Sequence, residues 1–199
     1  ISWADQNTQS LQLFVYIALA LCLYPAFFAL YPSLERHRHV RGLEYSNGVR
    51  PLPLWMAYIA FDFSIVLVAS AIMVAAWAAV SDIWYYIGFI YLIFILYGLA
   101  SILLAYVISL VSKTQLAAFA TTAMLQAGIF LVYIIAYFFS FTAAPIERVD
   151  DTLRLVHFIV SIFAPIGSVA RSLLLALNLF STACDGDVVA SNPGGMLQY

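Results

Sequence analysis

The chain has 199 residues, of which 65% are hydrophobic, 16% aromatic and only 9% charged, and its formal net charge is -2. Soluble domains are about 45–50% apolar and about 25% charged, so this composition describes an integral membrane protein. The slightly acidic balance excludes nucleic acid as a partner, because binding a polyanion needs a basic face.

The chain opens on ISWADQNTQS, which holds neither an initiator Met nor the basic stretch of a signal peptide. It closes on the turn-rich STACDGDVVASNPGGMLQY, residues 181–199. It is therefore expected to be part of a longer polypeptide. Four long apolar runs lie between, at about residues 11–31, 52–79, 83–111 and 115–141. Each can cross roughly 30 Å of hydrocarbon as a helix, which predicts four spanning helices. Small residues recur at every fourth position on the second run (Ala71, Ala75, Ala79) and on the third (Ser101, Ala105, Ser109). Such faces let helix backbones approach closely in lipid.

Residues 32–51 form the elbow between the first two runs, PSLERHRHVRGLEYSNGVRP, and hold four of the eight Lys and Arg residues of the chain. Ser33 is placed to cap a helix, Glu35 lies in its positive first turn, Gly48 sits at a left-handed stop and Pro51 bars continuation. This punctuation predicts one amphipathic helix from about Leu34 to Asn47, with Arg38 and Arg41 on a basic face turned toward headgroups or an acidic protein surface. Alternating spans put Arg36, Arg38, Arg41 and Arg50 on one side with Lys113, while Asp82 and the cluster Glu147, Arg148, Asp150 and Asp151 lie opposite. Cytoplasmic loops carry the excess of Lys and Arg, so the elbow is expected to be cytoplasmic. Trp77, Trp84, Tyr85 and Tyr86 then mark the outer interface, and Tyr31 and Trp55 the inner one.

A fifth apolar run, about residues 153–180, carries Arg154 and His157 at its start, APIGS in its middle and Arg171 beyond. Pro165 removes a backbone donor and Gly167 loosens the chain, so two short helices with a bend are expected, entering and leaving the outer leaflet as a re-entrant hairpin. Residues 181–199 would then be an extracellular or lumenal loop.

Among the polar residues in apolar runs, Asp62 is the only acid well inside a span. A charge there is costly, which calls for a partner such as a Tyr, a Ser or Lys113, or else a role in coupling. Arg171 is expected to pair with hairpin or loop carbonyls, to gate, or to touch headgroups. Gln126, Thr121 and Thr122 either line a pathway or bond between helices. His37 and His39 point to different sides of a helix, and no cysteine or carboxylate cluster completes a metal site. Cys22, in an apolar run, and Cys184, in the polar tail, form neither a disulfide framework nor a zinc site. His157, near Asp150 and Asp151, caps rather than catalyses. No nucleophile stands beside a base, and no Gly-x-x-x-x-Gly-Lys-Ser/Thr phosphate loop occurs, so this chain is expected to hold no catalytic residue and no cofactor. A channel or scaffold acting alone stays open, against the lack of a charged ring.

LERHRHVRGLEYSNGVRPLPLWMAYIAFD resembles the stretch after the second membrane helix in the permease halves of subfamily A ABC transporters, with Glu35, Arg36, Ser46, Gly48, Val49, Pro51, Trp55 and Asp62 at matching positions. YGLASILLAYVISLVSKTQLA is similar to that family's fourth helix. APIGSVARSL is similar to its proline-containing hairpin, with Pro165, Arg171 and Leu173 in place and Ala170 and Ser172 where the family has glycine. The resemblance runs from about Leu11 to Phe180. It implies an all-α polytopic bundle of the ABC-2, type V exporter kind, in which this chain supplies the second to fifth helices and the outer hairpin. It also implies partners: membrane lipids, a second permease half and ATP-binding domains in the same polypeptide, where ATP and Mg would bind. The cargo implied is lipid, with drugs or other hydrophobic compounds as the alternative. The elbow residues Glu35, Arg36, Arg38, Arg41, Gly48 and Pro51 would take the push of the ATPase.

Overall fold

The computed structural model describes residues 3–80, 87–143 and 149–177. They form eight helices and no strand: α1 (Trp3–Phe28), α2 (Leu30–His37), α3 (Val40–Ser46), α4 (Pro51–Val80), α5 (Ile87–Val111), α6 (Gln115–Ala143), α7 (Val149–Phe163) and α8 (Ile166–Ala176). The expected all-α bundle is thus the fold observed. Among the described residues, four segments are long and apolar enough to span a bilayer: Ser10–His37, Pro51–Ala79, Ile87–Val111 and Gln115–Ser140.

The first span outruns the expected residues 11–31, because only Ala29 interrupts the helical path from α1 into α2. Pro25 lies inside α1 and is buried. A proline has no N–H for the carbonyl four residues back, and hydrocarbon offers no water to replace it. Tyr97 of α5 supplies the missing donor, its hydroxyl reaching the Leu21 carbonyl at 2.6 Å.

Two apolar cores hold the bundle, one toward each end. At the elbow end Phe28, Ala29, Ile102, Ala105, Tyr106 and Ala118 pack together with Val66, flanked by Trp55, Tyr58 and Phe63. At the other end the early part of α1 (Phe14, Ala18), the early part of α5 (Ile90, Phe94) and the late part of α6 (Phe130, Tyr133) close around α8. Thr114 begins α6 by accepting a hydrogen bond from the Ala117 N–H at 3.1 Å, an N-cap for a helix that starts just after Lys113.

α7 and α8 are separated only by Ala164 and Pro165. Gly167 permits their close approach, since a Cβ there would lie 3.1 Å from Val160 Cγ1 and 3.3 Å from Ser161 Oγ. Ser168 Oγ donates to Ser161 Oγ at 3.2 Å across the bend. Ala170 and Ser172, in place of the glycines of the resembling hairpin, are buried in a continuous α8. The break therefore falls at Pro165 and not at those positions. Residues 178–199, with Cys184, lie outside the described residues, as do Asp82, Trp84, Tyr85, Tyr86, Glu147 and Arg148.

The small-residue faces behave unequally. Ser101, Ala105 and Ser109 of α5 are buried, whereas Ala71, Ala75 and Ala79 of α4 are exposed in this chain. α4 leans chiefly on α5, and the crossing is pinned at Gly98, where a Cβ would stand only 2.3 Å from Val66 Cγ1. Valine is stiff at χ1 and cannot swing aside cheaply. Gly98→Ala should therefore destabilise the bundle by about 1–3 kcal/mol. In thermal unfolding of the purified protein, adding Val66→Ala to Gly98→Ala should recover most of that loss.

Candidate functional site

The elbow is two helices, not one. Leu34–Asn47 is broken at Arg38 and His39, where His39 takes a left-handed backbone with φ 57°. Ser33 caps nothing; it is buried inside α2, and its hydroxyl has no partner among the described residues. Arg41 supplies the physical reason for the break. Its guanidinium donates to the Pro32 carbonyl at 3.1 Å and stacks 4.6 Å from the centre of the Trp55 ring. In an unbroken helix, residues nine apart stand about 13 Å apart along the axis, so this contact requires the chain to fold back. Arg41 is thus buried at 9% exposure and is not on an outward basic face. Arg38 is exposed.

α3 stops as its sequence predicts. Gly48 has φ 86°, its N–H reaches the Tyr45 carbonyl at 3.1 Å, and the Val49 N–H reaches the Glu44 carbonyl at 3.1 Å, the paired bonds of a glycine-terminated helix. Pro51 opens α4 at the first position, where its missing N–H costs no hydrogen bond.

The Glu35–Arg36 pair ties α2 to two spans in opposite senses. Arg36 donates through both terminal nitrogens to the backbone carbonyls of Leu110 and Ser112, where α5 ends. The last carbonyls of a helix lack intrahelical donors and carry its negative dipole end, so a planar two-pronged cation suits them. Glu35, 5% exposed, accepts a hydrogen bond from the Tyr58 hydroxyl of α4. One residue fastens the elbow to α5 and its neighbour fastens it to α4.

Beside this fastening lies a groove of about 500 Å³ between α2, α4 and α5, walled by Tyr31, Pro32, Tyr58, Phe61, Asp62 and Tyr106. Tyr106 donates its hydroxyl to Asp62 Oδ2 at 2.5 Å. The aromatic rings interlock, with Tyr31 and Tyr58 centred 5.8 Å apart, Trp55 and Tyr58 5.9 Å, and Trp55 and Tyr106 5.4 Å. Tyr58 and Tyr106 were not singled out by sequence. The available signal was Tyr58, four residues before Asp62 and so on the same helical face.

The other polar residues lie apart from the elbow. Gln126 is fully buried in α6, and neither amide atom has a partner among the described residues, so of its two expected roles the interhelical bond is not made among them. Thr121 and Thr122 bond back to their own helix, to the carbonyls of Ala117 and Ala118. Arg171 and Pro165 belong to the opposite end, Arg171 lying close to Tyr133. His157 is buried with its ring 6.5 Å from that of Tyr133 and Ser161 Oγ 3.4 Å from its Nδ1.

Four apolar spans, an elbow clamped to two of them and a short helical pair at the far end describe a polytopic helical membrane protein. Residues 2–183 match the family model described as ABC-2 family transporter protein, and the chain belongs to that family. It is a membrane component of the kind that works with ATP-binding domains in ABC transporters. No curated protein and no solved structure matches it.

Arg36 and Arg38 provide a contrast two residues apart. Arg36→Ala removes charged hydrogen bonds to two carbonyls and should cost about 1.5–3 kcal/mol in thermal unfolding. Arg38→Ala, at an exposed position, should stay within about 0.5 kcal/mol of the parent.

Proposed function

We propose that the chain forms the second to fifth helices and the outer hairpin of a permease half in a subfamily A ABC transporter. Its task is to move lipids when ATP-binding domains, in the same polypeptide as the second permease half, push on the elbow from the cytoplasm. The observation that carries this reading is the opposed fastening of Glu35 to α4 and of Arg36 to α5. A push on α2 passes to both spans through side-chain hydrogen bonds, without relying on α3. The resemblance of residues 34–62 to subfamily A supports the assignment within the family, and lipid is the cargo which that resemblance implies. The grouping of Arg36, Arg38, Arg41, Arg50 and Lys113 supports a cytoplasmic elbow.

Coupling is tested in the intact transporter reconstituted in vesicles. Arg36→Gln should leave ATP hydrolysis largely in place while lipid transport falls about tenfold, and Arg36→Lys should recover only part, because an ammonium cannot fork two carbonyls. A correctly inserted, normally abundant Arg36→Gln protein that transports at the parent rate would defeat the mechanism. Sidedness is tested separately. A cysteine introduced at exposed Arg38 should resist a membrane-impermeant maleimide added to intact cells and react once the cells are opened; labelling from outside would reverse the orientation.

A further inference from the structure

The groove beside the elbow holds an acid whose only described polar partner is a tyrosine. Asp62 is half-buried in a span, accepts one hydrogen bond from Tyr106, and has no described cation against it. An anion partly removed from water calls for a cation or for further donors. The same aromatic cluster already holds one cation on its far side, the Arg41 guanidinium over Trp55. On the groove side Asp62 and the rings of Tyr31, Tyr58 and Tyr106 line the same space of about 500 Å³, with Tyr106 on the carboxylate itself. Aromatic faces flanking a carboxylate are the chemistry that recognises an alkylated ammonium, which sheds water easily and is drawn to the ring quadrupoles.

The depth of the groove and its continuation separate a lipid from a free amine. Tyr106 lies five residues before the end of α5 at Val111, about 8 Å along the helix, so the Asp62–Tyr106 pair sits toward the elbow end of the bundle. From Phe61 an exposed apolar stripe runs down the same face of α4 through Ile65, Val68 and Ile72, which are 69, 42, 60 and 65% exposed in turn. Acyl chains can lie on such a stripe, with the headgroup over Asp62. We propose that this groove is a binding site for the ammonium headgroup of a zwitterionic phospholipid, held by Asp62, Tyr31, Tyr58 and Tyr106, with its chains along α4. The site requires only that the chain lies in a bilayer, and it stands whether or not that lipid is what the transporter moves.

The test measures binding in the intact, detergent-purified transporter without ATP, so a failure of transport cannot be mistaken for a failure of the site. Native mass spectrometry would compare phosphatidylcholine with phosphatidylglycerol carrying identical chains, and tetramethylammonium would serve as a competitor. The expected result is preferential retention of phosphatidylcholine, lowered about tenfold by Asp62→Asn with phosphatidylglycerol unchanged, and little affected by millimolar tetramethylammonium. Tyr31→Leu, at an exposed wall that leaves the Asp62–Tyr106 bond intact, should lower retention about threefold and guards against an Asp62→Asn protein that fails to fold. Equal retention of the two lipids, or retention unchanged in both variants, would overturn the site. Displacement by tetramethylammonium at micromolar concentration would overturn the lipid as its occupant.

Discussion

A backbone carbonyl that its own helix leaves unpaired needs a donor from elsewhere, and this chain has several such carbonyls. Pro25 frees the carbonyl of Leu21, and the end of α5 frees those around Leu110 and Ser112. The donors come from other helices: Tyr97 for the first, Arg36 for the second. Each repair is also a tether, since an interruption in one helix becomes a bond to a neighbour. The bundle is held at these points by direction-specific bonds, while the two apolar cores between them fix spacing.

This arrangement gives the elbow its character. A link between two spans could be a solvated loop, yet its first helix is embedded. Ser33 and Glu35 are buried, and Arg36 reaches across to the C-terminal end of α5. A left-handed His39 separates that embedded part from α3, which is largely exposed apart from Arg41. α2 is thus bonded directly to two spans, whereas α3 joins it across a backbone break that Arg41 bridges.

The spans were legible because twenty or more apolar residues admit one explanation, and the break at Pro165 and the stop at Gly48 because proline and glycine carry their conformations with them. The break at Arg38–His39 was not. A left-handed histidine has no signature of its own, and the contacts that impose it, from Arg41 to Pro32 and Trp55, join residues far apart along the chain. The spacing of Ala71, Ala75 and Ala79 shows that a backbone could approach α4, but not that one does. Asp62 demanded a partner by its charge alone; that the partner is Tyr106 depended on how α4 crosses α5, which no local pattern encodes. The family resemblance drew attention to the elbow, while the contacts of Tyr58 and Tyr97 emerged only from packing.

The crossing at Gly98 bears on the membrane itself. α4 has thirty residues, about 45 Å of helix against roughly 30 Å of hydrocarbon, and leans chiefly on one neighbour. The surplus is absorbed by tilt or by overhang, and tilt pivots where Val66 sits on Gly98. A thinner bilayer would lay α4 over and a thicker one would raise it, rotating its elbow-end residues, Trp55, Tyr58 and Asp62, relative to α5. Bilayer thickness thereby becomes a mechanical input to the same junction that holds the elbow.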